Sequence, residues 1–191
     1  MTISYSWLKD YLKCDLSASQ VAEALTSIGL EVDAVETVEQ IPGGLKGVIV
    51  AQVVDCVNHP DSDHLHVCKV NIGKETVQII CGAPNVREGI KVIVSLPGAV
   101  LPGGTIKRSV IRGEESNGML CSLGELGLDH KFLKPEDTNG IHELPLDAPV
   151  GEDPIKYMNL DDEVIDFELT SNRGDLLSIL GMAYELGAIY D

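Results

Sequence analysis

A chain of 191 residues with 44% hydrophobic side chains is long enough to bury one or two cores, and a formal net charge of −16 excludes a surface that attracts nucleic-acid phosphate everywhere. No 18-residue apolar run and no charged-apolar-small leader occurs, so the expected setting is soluble and cytoplasmic, without a membrane span. Five cysteines (Cys14, Cys56, Cys68, Cys81, Cys121) lack disulfide-scaffold spacing and are expected to be reduced, mostly buried thiols.

In chain order, Ser4 is placed to cap a short helix through Tyr11, with Tyr5, Leu8 and Leu12 on one face. Ser17 and Gln20 form a capping-box pattern opening a second helix that should bury Val21, Leu25 and Ile28, with Gly29 as its left-handed stop. Leu30–Val38 then reads as a strand. Pro42-Gly43-Gly44 punctuates the chain before a run of β-branched segments: Gly47–His59, His64–Ile72, Glu75–Gly82, Ile90–Leu96 and Thr105–Gly113. One short helix is expected around Gly118–Gly124. After Pro149-Val150-Gly151 comes a strand at Glu163–Thr170, then a helix containing Leu177, Leu180 and Tyr184, capped by Asp175.

The first and last segments carry too little apolar surface for separate cores. The economical arrangement is one small discontinuous α/β domain, 1–40 plus 151–191, with its two strands paired, interrupted by a β-rich domain at 41–150. Charge follows this division. Ile41–Gly113 holds eight Lys/Arg against five Asp/Glu, Glu114–Val150 holds two against eight, and the flanks hold four against seventeen. A neutral-to-basic region therefore sits in an acidic frame.

Three motifs, HPDSDHLHVCKVN at His59–Asn71, QIICGAPNVREG at Gln78–Gly89 and GTIKRSVIRGEESNGMLCSLGELGL at Gly104–Leu128, occur in this order. Together they resemble the oligonucleotide-binding-fold tRNA-binding module of the bacterial phenylalanyl-tRNA synthetase beta-subunit family. ISYSWLKDYL at Ile3–Leu12 and DFELTSNRGDLLSILGMAYELG at Asp166–Gly187 resemble the segments that bracket the module there, so the likeness covers the whole chain. The chain departs from the family's usual pattern at Ser171, where Pro is frequent, and at His64 and His66, where Lys and Arg are frequent. Five short strands alone permit a sandwich or a barrel; the resemblance implies a mainly β chain with a five-stranded Greek-key barrel inserted in an α+β frame.

A tRNA-binding surface needs cations for phosphate and donors or apolar contacts for unpaired bases. The expected contacts are Lys69, Arg87, Lys91, Lys107, Arg108 and Arg112 for phosphate, Asn85 and Ser116 for hydrogen bonds, and Met119 as an apolar contact in the turn matching the family's. Basic residues also alternate on ordinary solvated strands, so the cluster weighs more than any member. Phe132 is the only aromatic residue between Gly47 and Val150, which favours recognition of backbone and shape over base stacking.

Cys56, His59, His64, His66, Cys68 and Cys81 include zinc-type donors, but no CxxC or HxxxH spacing occurs, and a polar strand face with buried thiols is the better reading. Arg173-Gly174-Asp175 reads as a helix-entry loop and Asp161-Asp162-Glu163 as a solvated turn. No phosphate-binding glycine loop, nucleophile elbow or paired acid/base motif is present, so the segment itself is expected to be non-catalytic and to hold no cofactor. The chain stops in helix-like sequence and reads as an N-terminal fragment. The resemblance implies that the full enzyme uses ATP and magnesium and joins a catalytic alpha subunit in an alpha2beta2 assembly. A free-standing tRNA-binding protein or chaperone, and a protein-interaction or assembly domain, are the alternatives. The flanking segments favour the synthetase subunit, since a free-standing module has no use for a split frame.

Overall fold

In the computed structural model, which describes residues 1–41, 44–128, 131, 133 and 140–190, the chain divides into a split unit, Met1–Glu39 with Asp161–Asp191, and a central unit, Gln40–Leu160. Along the chain come β1 (Thr2–Ser4), α1 (Tyr5–Tyr11), α2 (Ala18–Ser27), β2 (Glu31–Glu39), β3 (Val48–Asn58), β4 (His66–Asn71), β5 (Thr76–Cys81) and β6 (Lys91–Ser95). Next are β7 (Val100–Leu101), β8 (Gly104–Thr105), β9 (Ser109–Ile111), β10 (Glu114–Ser116), β11 (Met119–Leu120), α3 (Leu123–Leu126) and β12 (Glu143–Leu144). The described elements end with α4 (Pro154–Tyr157), β13 (Asp161–Glu168), a 3-10 turn at Gly174–Leu176 and α5 (Ile179–Tyr190).

The split unit is a three-stranded antiparallel sheet, β1-β13-β2, with three helices whose apolar faces share its core. Alternation along β13 sends Ile165 and Phe167 inward, both essentially fully buried, with Ile165 opposite Ile3 on one side and Val35 on the other. Seven residues are too few for α1 to be stable alone. Ser4 Oγ accepts from Trp7 N at 3.0 Å, and burial of Leu8 anchors the helix. The Ser17/Gln20 capping box is present at the start of α2, and Val21 and Leu25 are buried. Ile28, expected inward, is 42% exposed because it is the residue after the last helical turn, where the chain leaves toward Gly29 at φ +95°.

The last helix also differs from expectation. Asp175 does not cap it; its carboxylate pairs with Arg173, and Ser178 Oγ instead accepts from Gly181 N at 3.1 Å. Ile179, Met182, Ala183 and Leu186 face the core, whereas Leu177, Leu180 and Tyr184 are exposed. Both stripes of this helix are apolar, so periodicity could not select the inner one.

In the central unit, all pairings of the main sheet are antiparallel and the order is β11-β6-β3-β4-β5. The return of β6 beside β3 after two hairpins is the Greek-key arrangement, and the sheet rolls into a nearly closed five-stranded barrel. Asn117 N donates to Gln78 O at 2.8 Å and Ile80 N to Ser116 Oγ at 3.1 Å, drawing the segment before β11 onto the edge of β5. The runs in β3 and β6 do not alternate because both faces are covered. Ala51, Val53, Val92 and Val94 fill the barrel, while Val48, Val50 and Ile93 pack outward with Leu101, Leu126 and Ile155.

Three expectations shift here. Residues 151–160, assigned to the frame by sequence, pack on the central unit: Gly151 N donates to Val50 O, Val50 N donates to Glu152 O, and Ile155 is buried beside Val50. Thr105–Gly113 is not one strand, because Ile106 bonds back to Ala99 and Gly98, leaving Lys107 and Arg108 between β8 and β9. The short helix lies at Leu123–Leu126, not Gly118–Gly124, since Ser122 supplies the N-cap and Gly118 sits at φ +144°. Pro42, Gly43 and Phe132 lie outside the described residues.

Candidate nucleic-acid interface

β9 and β10 form a two-stranded hairpin turned by Arg112 and Gly113, both in the left-handed region at φ +48° and +89°. Gly adopts that geometry freely, whereas a residue with a Cβ is strained there and needs outside support. The HPDSD loop gives it. Arg112 Nη1 donates to Asp61 O at 2.8 Å, and the buried His59 ring lies between Asp61 and Ile111. Asp61 N donates to His59 Nδ1 at 3.0 Å, which makes Nε2 the protonated nitrogen, facing Ile111 O at 3.3 Å. His59 is therefore a strut under the hairpin tip.

Lys107, Arg108 and Arg112 are all exposed. Lys107 and Arg108 make no hydrogen bond or ion pair among the described residues, and Val110 beside them is 67% exposed. A shallow recess of about 210 Å³, lined by Arg108, Ser109, Val110, Glu115 and Asn117, opens between the two hairpin strands and the segment that follows. Solvated, unpaired guanidinium and ammonium groups are the form in which a protein offers cations to phosphate, since nothing has to be broken before they bind.

The other candidates have internal work. Lys69 lies opposite Asp55 in the β3–β4 ladder and pairs with it at 3.3 Å. Arg87 grips Glu143 through two bonds of 2.7 Å, and this hydrogen bonding holds the Glu143 carboxyl below its usual range. Asn85 Nδ2 donates to Ile141 O and its Oδ1 accepts from Ile141 N. Lys91 Nζ donates to Ala148 O, and Ser116 is 2% exposed with its hydroxyl between Ile80 N and Gly118 O. Asn85, Arg87, Lys91 and Ser116 thus each have a partner within the fold, while the Arg87 side chain stays 59% exposed. Lys69 remains at the surface with a partner, and Met119 sits on β11 between two grooves.

Those grooves are features that charge counting passes over. One, of about 710 Å³, runs between Cys81–Pro84 and Gly140–Ile141; the other, of about 520 Å³, runs beneath Leu101–Ile106. Met119, Ser122 and Glu125 line both. The Ser-x-x-Glu spacing of Ser122 and Glu125 is a capping box visible in sequence, but nothing in the sequence says that its carboxylate borders a groove. Among the described residues no group of three or more His, Cys, Asp or Glu side chains is placed to hold a metal ion, and no helix is long and apolar enough to cross a membrane.

Comparison with known proteins matches residues 48–153, which span the barrel and its hairpin, to the family described as "Putative tRNA binding domain". Over its whole length the chain is 52% identical to the phenylalanine–tRNA ligase beta subunit of Lactiplantibacillus plantarum, covering 100% of this chain and 24% of that one. The beta subunits of Geobacillus kaustophilus and Streptococcus pneumoniae are 49% and 48% identical, with 99% and 100% of this chain and 24% of each subunit covered. The chain thus spans about a quarter of the length of these relatives. With the family matching more than half of its residues, on the unit that carries the exposed cations, the chain belongs to the tRNA-binding domain family.

Proposed function

We propose that this chain is the tRNA-binding N-terminal portion of a phenylalanine–tRNA ligase beta subunit, and that the β9–β10 hairpin is where it meets tRNA phosphates. The carrying observation is that the family match covers the barrel and that Lys107 and Arg108, which lead into the β9–β10 hairpin, and Arg112 at its turn are all exposed. Attachment of phenylalanine to tRNA with ATP and magnesium, the alpha2beta2 assembly with an alpha subunit and a cytoplasmic setting belong to the longer protein in this reading. The chain's own part is positioning: a fixed platform, braced by His59 and the scaffold bonds of Asn85 and Arg87, holds cations toward the RNA backbone. Contacts to phosphate supply affinity without reading sequence. The frame carries fifteen acidic residues against three basic ones in Met1–Glu39 and Asp161–Asp191, so binding by the isolated chain is weak and greatest at low salt.

A salt-titrated binding measurement with phenylalanine tRNA and a non-cognate tRNA tests this. Replacing Lys107, Arg108 and Arg112 together weakens both complexes alike and lowers the salt slope by up to roughly three, about one per lost phosphate contact. An unchanged slope overturns the hairpin as the contact surface. Pyrophosphate exchange dependent on phenylalanine, surviving rigorous purification of this chain, overturns its non-catalytic role.

A further inference from the structure

Glu125 is an exposed ionisable side chain bordering two grooves, of which the one under Leu101–Ile106 has the more apolar wall. Its Oε2 accepts from Ser122 N and Ser122 Oγ, both at 2.8 Å, and completes the cap of α3. Its Oε1 makes no hydrogen bond among the described residues. A carboxylate oxygen has two acceptor positions, and on this exposed side chain both are solvated and open to a ligand's donors. Beside it lies the flexible, polarisable side chain of Met119, which suits contact with a flat ring. The groove under Leu101–Ile106, about 520 Å³, falls in the size range of small-ligand sites.

A ligand that complements this wall offers a flat body and adjacent N–H donors. Among nucleobases the Watson–Crick edge of guanine offers that pair, N1–H beside the 2-amino group. Adenine and cytosine set one amino group next to a ring nitrogen acceptor that a carboxylate repels, and uracil sets its N–H between two carbonyls. Unpaired bases splayed from RNA are read on this edge. The chain also supplies the phosphate side: Ile106 lines the groove, and the next two residues are the unpaired cations Lys107 and Arg108.

We propose that the groove walled by Met119, Ser122 and Glu125 takes an unpaired guanine of an RNA whose backbone passes Lys107 and Arg108. This rests on the tRNA-binding reading above and adds a base preference to it. The base enters beside Met119 and donates to Glu125 Oε1; the adjoining phosphates face Lys107 and Arg108.

The test uses this chain and three fluorescein-labelled RNA heptamers, all uridine or with a central guanosine or a central inosine, followed by anisotropy at low salt. A good two-point contact to a base edge corresponds to an affinity gain of at least about fivefold, so the guanosine heptamer binds about five- to tenfold tighter than the uridine one. Inosine, which lacks the 2-amino group, gives back most of that gain. In Glu125→Gln the ratio falls to about one, while Gln at the third helical position preserves the capping box. Equal affinity of all three heptamers for the unaltered chain, with a normal salt slope, overturns the guanine site and leaves phosphate binding standing. A guanosine preference that survives in Glu125→Gln overturns the role of the carboxylate. RNA affinity and salt slope unchanged in Lys107→Ala/Arg108→Ala overturn the tRNA-binding surface itself.

Discussion

The Asn85 carboxamide holds the backbone of Ile141 at both ends, donating from Nδ2 to Ile141 O at 2.8 Å and accepting at Oδ1 from Ile141 N at 3.1 Å. Fifty-six residues separate the two, so this clamp joins the loop after β5 to the segment entering β12. Glu143 adds a second tie, receiving both Asn85 Nδ2 and the Arg87 guanidinium.

Removing the clamp should therefore affect stability, not phosphate binding. Asn85→Ala leaves the Ile141 amide and carbonyl without their partner and is expected to cost about 1–3 kcal/mol. Urea unfolding reads this as a lower midpoint at unchanged slope. The affinity and salt dependence of tRNA binding stay those of the unaltered chain; because a neutral carboxamide releases no counterion, weaker tRNA binding at unchanged slope by the still-folded variant would place Asn85 at the RNA instead.

Acid sensitivity of the split unit should pass through Asp162. Burial pushes its carboxyl up, but donors at Ser4 Oγ, Ser6 N, Ser6 Oγ and Glu163 N outweigh that and hold it below the usual range. A depressed folded-state value contributes stability that is present above the unfolded value, about 3.9, and is lost as pH falls through the folded one. Trp7, the single tryptophan, lies in α1 beside these serines and reports the transition by its emission. Asp162→Asn is expected to lower stability at pH 7 and to flatten its fall between pH 5 and pH 2. An identical acid profile in the variant would assign the sensitivity elsewhere.

Barrel closure depends on Gly118. It has φ +144°, and a Cβ built there lies 2.7 Å from Ser95 O, a backbone atom that cannot swing away. Its neighbours Asn117 and Met119 carry the bonds that bring β11 to β6 and the β5 edge together. Gly118→Ala should cost roughly 1–3 kcal/mol for the forbidden conformation, and more as Ser95 is displaced. Loss of hydrogen-exchange protection at Asn117 and Leu120, beyond that elsewhere in the barrel, is the expected signature.

Much of the fold was legible because local chemistry and tertiary pairing agreed. The Ser17/Gln20 box and the alternation of Ile165 and Phe167 mean the same thing alone and in the fold. The failures have physical causes. Thr105–Gly113 reads as one strand by residue type, yet the bonds of Ile106 to Gly98 and Ala99 end the first pairing there, and those partners are remote from the pattern. The site was less legible. Arg87 and Arg108 look alike in sequence, and only the fold brings Glu143 to one and leaves the other solvated. Glu125 advertised a helix cap, which it is, and its position on the grooves depends on segments that meet only after folding.

Arg112 offers the sharpest separation of hairpin shape from hairpin charge. Its backbone lies at φ +48°, where glycine is at ease and alanine is not, while its guanidinium reaches Asp61 O at 2.8 Å. Arg112→Gly relieves the backbone and removes the cation; Arg112→Ala removes the cation and keeps the strain. If the guanidinium contacts phosphate, both variants lower the salt slope of tRNA binding by about one, and the glycine variant is the more stable of the two by about 0.5–1 kcal/mol. If Arg112 serves only to brace the tip against the HPDSD loop, both lose the Asp61 bond but neither alters the slope. The slope thus decides between ligand and brace, and the stability difference verifies that the tip keeps its left-handed turn in solution.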